Sequence, residues 1–331
     1  MGNEINVKKK AAIISLLVGF GMFAAKMGAF LMTGSAAIFS DAAESVVHVL
    51  ATSMALYSIL LSSKPADDSH LYGHGNVEYF SAGIEGFLIV IAALFIIFTA
   101  ILELIKGSNL KELDTGVIII SIAGVVNLIL GAYLVRTGKK TNSLTLIADG
   151  KHVLTDSYTS IGVIIGIILV IFTGYVILDP IFAIAVAVNI LFTGYKLVRK
   201  SIGGLMNETD PKLLKQIVNQ LTKMKEDYWI DIHWLRFWES GGNIFIDFHL
   251  ILPYYFSIKE SHLEEEKIEN ALLKTVPNSQ IKIHMDYCTF EHCKMCNYEK
   301  CEVRREPKKD ELNWDLNKLI GEPVYPSTHI T

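Results

Sequence analysis

Two stretches of the sequence carry ionisable side chains at matched spacing. One reads Asp41-Ala-Ala-Glu44-Ser-Val-Val-His48, the other Asp149-Gly-Lys-His152-Val-Leu-Thr-Asp156. In each, an Asp is followed by an ionisable group three residues on and another four further. Steps of three and four keep all members on one face of a helix. Facing one another, Glu44, His48, His152 and Asp156 offer two imidazoles and two carboxylates, a set that suits a tetrahedral divalent ion such as Zn²⁺. These groups could instead satisfy one another as structural hydrogen bonds and ion pairs, but that explains one such stretch more easily than two. Asp41 and Asp149 lie about a turn away and read either as a vestibule for the ion or as hydrated helix ends.

Both stretches sit in strongly apolar surroundings. The chain has 331 residues, of which 51% are hydrophobic and 19% charged, and its mean hydropathy is positive. That composition points to a membrane protein with a water-exposed portion. Six apolar segments, at approximately 11–33, 36–62, 79–106, 115–136, 144–174 and 179–198, are long enough to cross a bilayer as helices. Met1–Lys10 is too short and polar for a signal peptide. A charged group in a lipid-facing helix centre costs ~2.5–3.5 kcal/mol, so the ionisable faces should turn inward. Lys8, Lys9, Lys10, Lys64, Arg136, Lys139, Lys140, Lys196, Arg199 and Lys200 fall on the side shared by the two termini, against Lys106 and Lys111 on the other. The positive-inside rule then puts both termini in the cytoplasm. A net charge of -4 gives no argument for nucleic acid.

Three further groups of possible ligands lie outside the spans. Asp67, His70 and His74, at short spacing in a loop, make a plausible divalent-ion clamp. The polar last third reads helix (Pro211–Lys225), strand (Ile230–Glu239), strand (Asn243–Leu252), helix (Ser261–Val276) and strand (Gln280–Asp286), with a hairpin turn at Ser240-Gly241-Gly242. This α-β-β-α-β order predicts an α+β domain with its helices on one face of a sheet. It carries His233, His249, His262, His284 and Asp286, the last two on one face of their strand. All four cysteines, Cys288, Cys293, Cys296 and Cys301, fall within one short segment. Such clustering argues for a metal or redox site in a reducing compartment rather than a disulfide framework. A tetrahedral all-thiolate Zn²⁺ site is the favoured reading, an Fe–S cluster the alternative, and unliganded thiols remain open.

The second and fifth spans resemble those of the cation diffusion facilitators, six-span metal exporters that work as dimers. Glu44/His48 and His152/Asp156 occupy the places where that family supplies its intramembrane ligands, although Glu/His departs from the family's usual pair in the second span. The resemblance covers roughly residues 10–287. It implies a weaker metal site at Asp67, His70 and His74, and a two-metal site at a dimer interface from His233, His249, His262, His284 and Asp286. Eight of the ten histidines are then placed, leaving His292 and His329. It says nothing of the cysteine segment.

The expected architecture is a membrane all-α six-helix domain (1–205), a small cytoplasmic α+β, ferredoxin-like or metallochaperone-like domain (206–287), and a Cys-rich, partly disordered tail (288–331). The expected activity is homodimeric efflux of a divalent transition metal across a bacterial or archaeal inner membrane. Zn²⁺ is favoured, with Fe²⁺, Co²⁺, Ni²⁺, Cd²⁺ and Mn²⁺ open, and metal exchanges for protons that compete for the same ligands. The competing reading is a membrane-anchored metal or redox sensor working through the cysteine tail. No nucleotide-binding loop, nucleophile motif or H-E-x-x-H is present, so an enzyme is not expected.

Overall fold

A computed structural model describes residues 2–33, 36–106, 113–173 and 177–325; within the helices, the side chains of 2–4, 26, 29–33, 36–47, 99, 103, 106, 113–121, 159–172, 178, 179, 182 and 186 lie outside the description. The chain divides into two compact units, Met1–Met206 and Asn207–Thr331.

The first unit is built of helices, with a described loop at 63–76 between the second and third. Its helices are α1 (Gly2–Thr33), α2 (Ala36–Ser62), α3 (Val77–Lys106), α4 (Leu113–Lys140), α5 (Leu144–Thr173) and α6 (Leu178–Leu205). The most extensive packing is of α3 on α6 and of α4 on α5. Small residues permit the approach. A Cβ on Gly86 would stand 3.2 Å from the carbonyl oxygen of Gly194, and one on Gly194 3.0 Å from that of Gly86. Backbones meeting this closely gain contact area that larger side chains would forbid.

The unit's polarity is reversed relative to a water-soluble bundle. Leu17, Phe20, Phe87, Phe98, Ile129 and Phe192 point outward, while Ser15, Thr52, Ser81, Glu85, Asn127, Asp149 and His152 are buried. An apolar exterior around polar groups is what a hydrocarbon solvent selects. Among the described residues, Val77–Leu102 of α3 is long and apolar enough to cross a membrane.

The second unit runs α7 (Pro211–Lys223), β1 (Asp231–Ser240), β2 (Asn243–Leu252), α8 (Ile258–Thr275), β3 (Ser279–Tyr287), a short 3₁₀ turn (Phe290–Lys294) and α9 (Leu316–Ile320). Asp210 caps α7 by accepting from the backbone N–H of Lys212, with Pro211 in the first turn, and Ser257 with Glu260 forms a capping box on α8. Each cap satisfies donors that a helix start leaves orphaned. The hairpin turns at Gly241 and Gly242, whose φ values of 58° and 88° need residues without a side chain.

The sheet has the order β1-β2-β3, with β1 antiparallel and β3 parallel to β2. Alternation along β2 sends Ile246, Phe248, Leu250 and Leu252 into a core with Leu214, Ile217, Leu221, Ile268 and Leu272 of α7 and α8. Asp247 and His249 are thereby directed to the opposite face. The observed sheet is small and mixed, three-stranded rather than a full ferredoxin-like sheet.

Residues 288–325 of the segment expected as an appended, partly disordered tail include side chains packed into the second unit. Trp314 and Leu319 enter the core beneath α7, and Lys318 of α9 pairs with the fully buried Asp231 at 2.6 Å. The apolar residues at 312, 314, 316 and 319 supply the burial that makes docking favourable.

Candidate metal sites

The intramembrane pair of motifs falls on α2 and α5, which touch. His48 and His152 are both buried, with ring centroids 5.4 Å apart. Among the described residues, Nδ1 of His152 has no hydrogen-bond partner. Asp156 follows one turn later on α5 and is half-buried. The side chains of Asp41 and Glu44 lie outside the described residues. Asp149 is buried, and its Oδ1 accepts from the hydroxyl of Thr52 at 3.2 Å, which ties α5 to α2 a turn from the histidines.

A second buried polar centre escaped the sequence reading. Glu78, at the start of α3, receives Lys8 Nζ of α1 at 3.1 Å, Ser62 Oγ of α2 at 3.1 Å and Ser143 Oγ, just ahead of α5, at 2.6 Å. One turn and then another along α3 come Ser81 and Glu85, both buried, with Asp149 close enough to act on Glu85 electrostatically. Glu78, Ser81 and Glu85 repeat the three-then-four spacing of the two motifs. That spacing, sought across all the spans, is the signal that would have found them.

The loop group comes together in space. Asp67 Oδ1 accepts from the backbone N–H of Ser69 at 3.0 Å and of His70 at 2.8 Å, and from the Ser69 hydroxyl at 2.9 Å. Its two oxygens approach His70 Nδ1 and His74 Nε2, each at 3.2 Å. One ligand atom from each of the three lies within 4.8 Å of the others. The Ser69 hydroxyl, followed by the His70 donors, holds the exposed Asp67 carboxyl at about 2, so it is anionic wherever a metal could bind.

In the second unit, strand register builds a row. His233 stands opposite His249, and His249 opposite His284. The rings are 5.0 and 4.4 Å apart. Asp286 is the hub: its Oδ2 meets His249 Nδ1 at 2.9 Å and His233 Nε2 at 3.6 Å, while Oδ1 meets His284 Nε2 at 3.3 Å. A carboxylate with histidines at both oxygens can bridge two ions. Burial, then the neighbouring His249, pushes His233 down to about 4, keeping it neutral and fit to ligate. His262 is not brought to this row. It is exposed on α8 and pairs with Glu265 and Glu266 of its own helix.

A β-bulge interrupts β1 just after His233. Trp234 there adopts φ 52°, an unfavourable conformation for a bulky residue. Its backbone N–H bonds the carbonyl of Gly321 at 3.0 Å and its indole bonds Glu322 at 2.9 Å. The docked C-terminal segment thus holds the kink that sets His233, as bulges beside functional sites commonly do.

The four cysteines are free thiols, and all line one small cavity.

Comparison with known proteins agrees with this arrangement. Residues 12–206 match the cation efflux transmembrane domain, and residues 209–288 the cation efflux protein cytoplasmic domain. An uncharacterized transporter of Synechocystis sp. is 34% identical over 275 residues, covering 83% of this chain and 89% of its own. The cation-efflux pump FieF of Salmonella arizonae is 28% identical over 307 residues (92% and 96%), and that of Citrobacter koseri 28% over 308 (92% and 97%). The chain belongs to the cation efflux, or cation diffusion facilitator, family of membrane transporters, and is not an enzyme.

Proposed function

We propose that the protein exports a divalent transition metal, Zn²⁺ foremost, from the cytoplasm in exchange for protons. Helices α1–α6 are its six spans, both termini are cytoplasmic, and it works as a homodimer in a bacterial or archaeal inner membrane. The observation that carries this reading is the buried apposition of His48 and His152 on different helices. Two imidazoles inside a low-dielectric bundle, with Asp156 and Glu44 on the same helical faces, make a ligand set that favours Zn²⁺ over Mg²⁺ or Ca²⁺.

Protons and metal compete for these four groups, because each ligates only when deprotonated. Export follows if the site binds metal when open to the cytoplasm and is protonated when open outward; helix tilting between the two states provides alternating access. Asp149, one turn before His152 on α5 and buried, lowers the metal's cost of entry. The loop trio of Asp67, His70 and His74 collects ions at the membrane surface. The row of His233, His249, His284 and Asp286 binds metal as its cytoplasmic concentration rises and tightens the dimer. The relatives named as cation-efflux pumps support the outward direction.

The test is uptake by inside-out vesicles over a panel of divalent metals with an imposed pH gradient. Zn²⁺-dependent proton movement is expected; metal uptake indifferent to the gradient would remove the exchange mechanism.

A further inference from the structure

We infer that Cys288, Cys293, Cys296 and Cys301 hold one tetrahedral Zn²⁺ that clips residues 288–325 onto the end of the sheet where β1 begins and β2 and β3 finish. The four side chains come from either side of a tight turn and line a single cavity of about 20 Å³ with Ile230, Pro253 and Arg304. That is room for one ion. An Fe–S cluster, with several metal and sulfide atoms, needs more. Among the described residues, the clusters whose ligand atoms already lie within 4.8 Å of one another are those of the loop and the sheet; at the cysteines the ion itself would draw the thiols inward.

The surroundings are built as a thiolate site requires. Cys288 is fixed at the end of β3 by its N–H bond to the carbonyl of Leu252 at 2.9 Å. In the Cys293-x-x-Cys296 turn, the N–H groups of Met295 and Cys296 both bond the carbonyl of His292. The backbone N–H of Tyr298 then donates to the sulfur of Cys296 at 3.4 Å. Such donors stabilise sulfur that carries charge, as second-shell groups do around metal ligands. Four thiolates around Zn²⁺ leave two net negative charges. Arg304 stands at the cavity and bonds the carbonyls of Cys293, Cys296 and Tyr298 at 3.1, 2.9 and 3.0 Å, which both offsets that charge and pins the turn. Behind the thiols, Ile230, Ile251 and Met295 form a dry wall.

His292 sits in the same lining, fully buried, with Nδ1 accepting from the Thr289 N–H at 3.0 Å. Its Nε2 has no hydrogen-bond partner among the described residues. The thiols are placed as the ligands because a soft donor set closes around Zn²⁺ without it. Binding releases the thiol protons and forms four Zn–S bonds with no change of oxidation state.

The site has a consequence for the sheet. The segment it fastens is the one that bonds the bulge at Trp234 and supplies Lys318 to Asp231, both next to His233.

The experiment uses the full chain in detergent. Purified with Zn²⁺, it is treated with an alkylating agent before and after a strong chelator and weighed. The expected result is no thiol modified before chelation and four after. Loading with Co²⁺ should give the near-ultraviolet sulfur-to-cobalt charge-transfer band, one ion per chain, which no other site here can produce because the chain has only these cysteines. A variant with all four changed to Ser should lose that band and one bound ion. Four thiols reactive from the start, a mass deficit from disulfides, acid-labile sulfide with visible iron absorption, or three protected thiols with loss of the ion in His292→Gln would each overturn the assignment. If the four-Ser variant does not fold, the alkylation and Co²⁺ results on the native chain decide alone.

Discussion

The imidazole of His48 on α2 faces that of His152 on α5, with ring centroids 5.4 Å apart and both rings buried. Neither histidine could be placed by its own helix alone. The apposition depends on α5 being held against α2, which the Thr52–Asp149 bond and the Glu78 centre accomplish.

That dependence predicts the effect of breaking the Glu78 centre. Lys8→Met leaves Glu78 buried with its charge uncompensated, a change that typically costs about 3–5 kcal/mol. The Lys8→Met protein should lose thermal stability in detergent, and Glu78→Gln in the same background should recover part of it. Equal melting of the native and Lys8→Met proteins would show that the pair does not fasten the bundle.

The same helices show what the sequence could and could not reveal. Periodicity identified the apolar segments and the faces of both motifs, because a charge in hydrocarbon is costly enough to mark its own side of a helix. Partners were not legible. Lys8 reads as one of three basic residues at a membrane surface, and only packing shows it buried against Glu78. In the second unit, alternation puts His284 and Asp286 on one face of their strand, since a residue's face in a strand follows from its position, whereas their grouping with His233 and His249 comes from the family resemblance. His262 could not be decided that way, because where α8 sits over the sheet depends on the core rather than on local spacing. The segment after Cys288 read as an appendage since prolines and charges dominate it, while its four docking side chains are thinly spread.

The loop site should depend on Asp67 uniformly across mild pH. Its carboxyl, held at about 2 rather than 3.8, supports loop order that is complete above 3.8 and lost only as pH falls through 2. Between pH 4 and 7 the group stays anionic, so loss of loop metal in that range arises elsewhere in the ligand set. Asp67→Asn removes a ligand and should weaken binding of one ion at pH 7 by at least the roughly 100-fold that marks the upper end for supporting groups. Calorimetric titration at several pH values checks this; a deficit present only at high pH would contradict it.

His233 gives the cytoplasmic unit a pH dependence of its own. Its folded value near 4 lies below the ordinary 6.5, so between those limits the unfolded chain binds a proton that the folded one refuses. With metal removed by chelator, stability should be fully present above 6.5, fall as pH drops toward 4, and gain no further loss from this group below. His233→Asn should flatten the slope over that window. Urea midpoints measured from pH 4 to 7.5 decide it, and an unchanged slope in His233→Asn would rule out this origin.

If α2 and α5 together bind the transported ion, Zn²⁺ flux in proteoliposomes with an imposed pH gradient should collapse in a chain carrying His152→Ala and Asp156→Ala together, relative to the native chain at matched protein incorporation. A loss of flux of at least about 100-fold is expected, since removing ligands costs more than the 10–100-fold typical of their supporting groups. Flux within a factor of about two of native in that double variant would contradict it, because no ion held by His48 and Glu44 alone keeps a tetrahedral site.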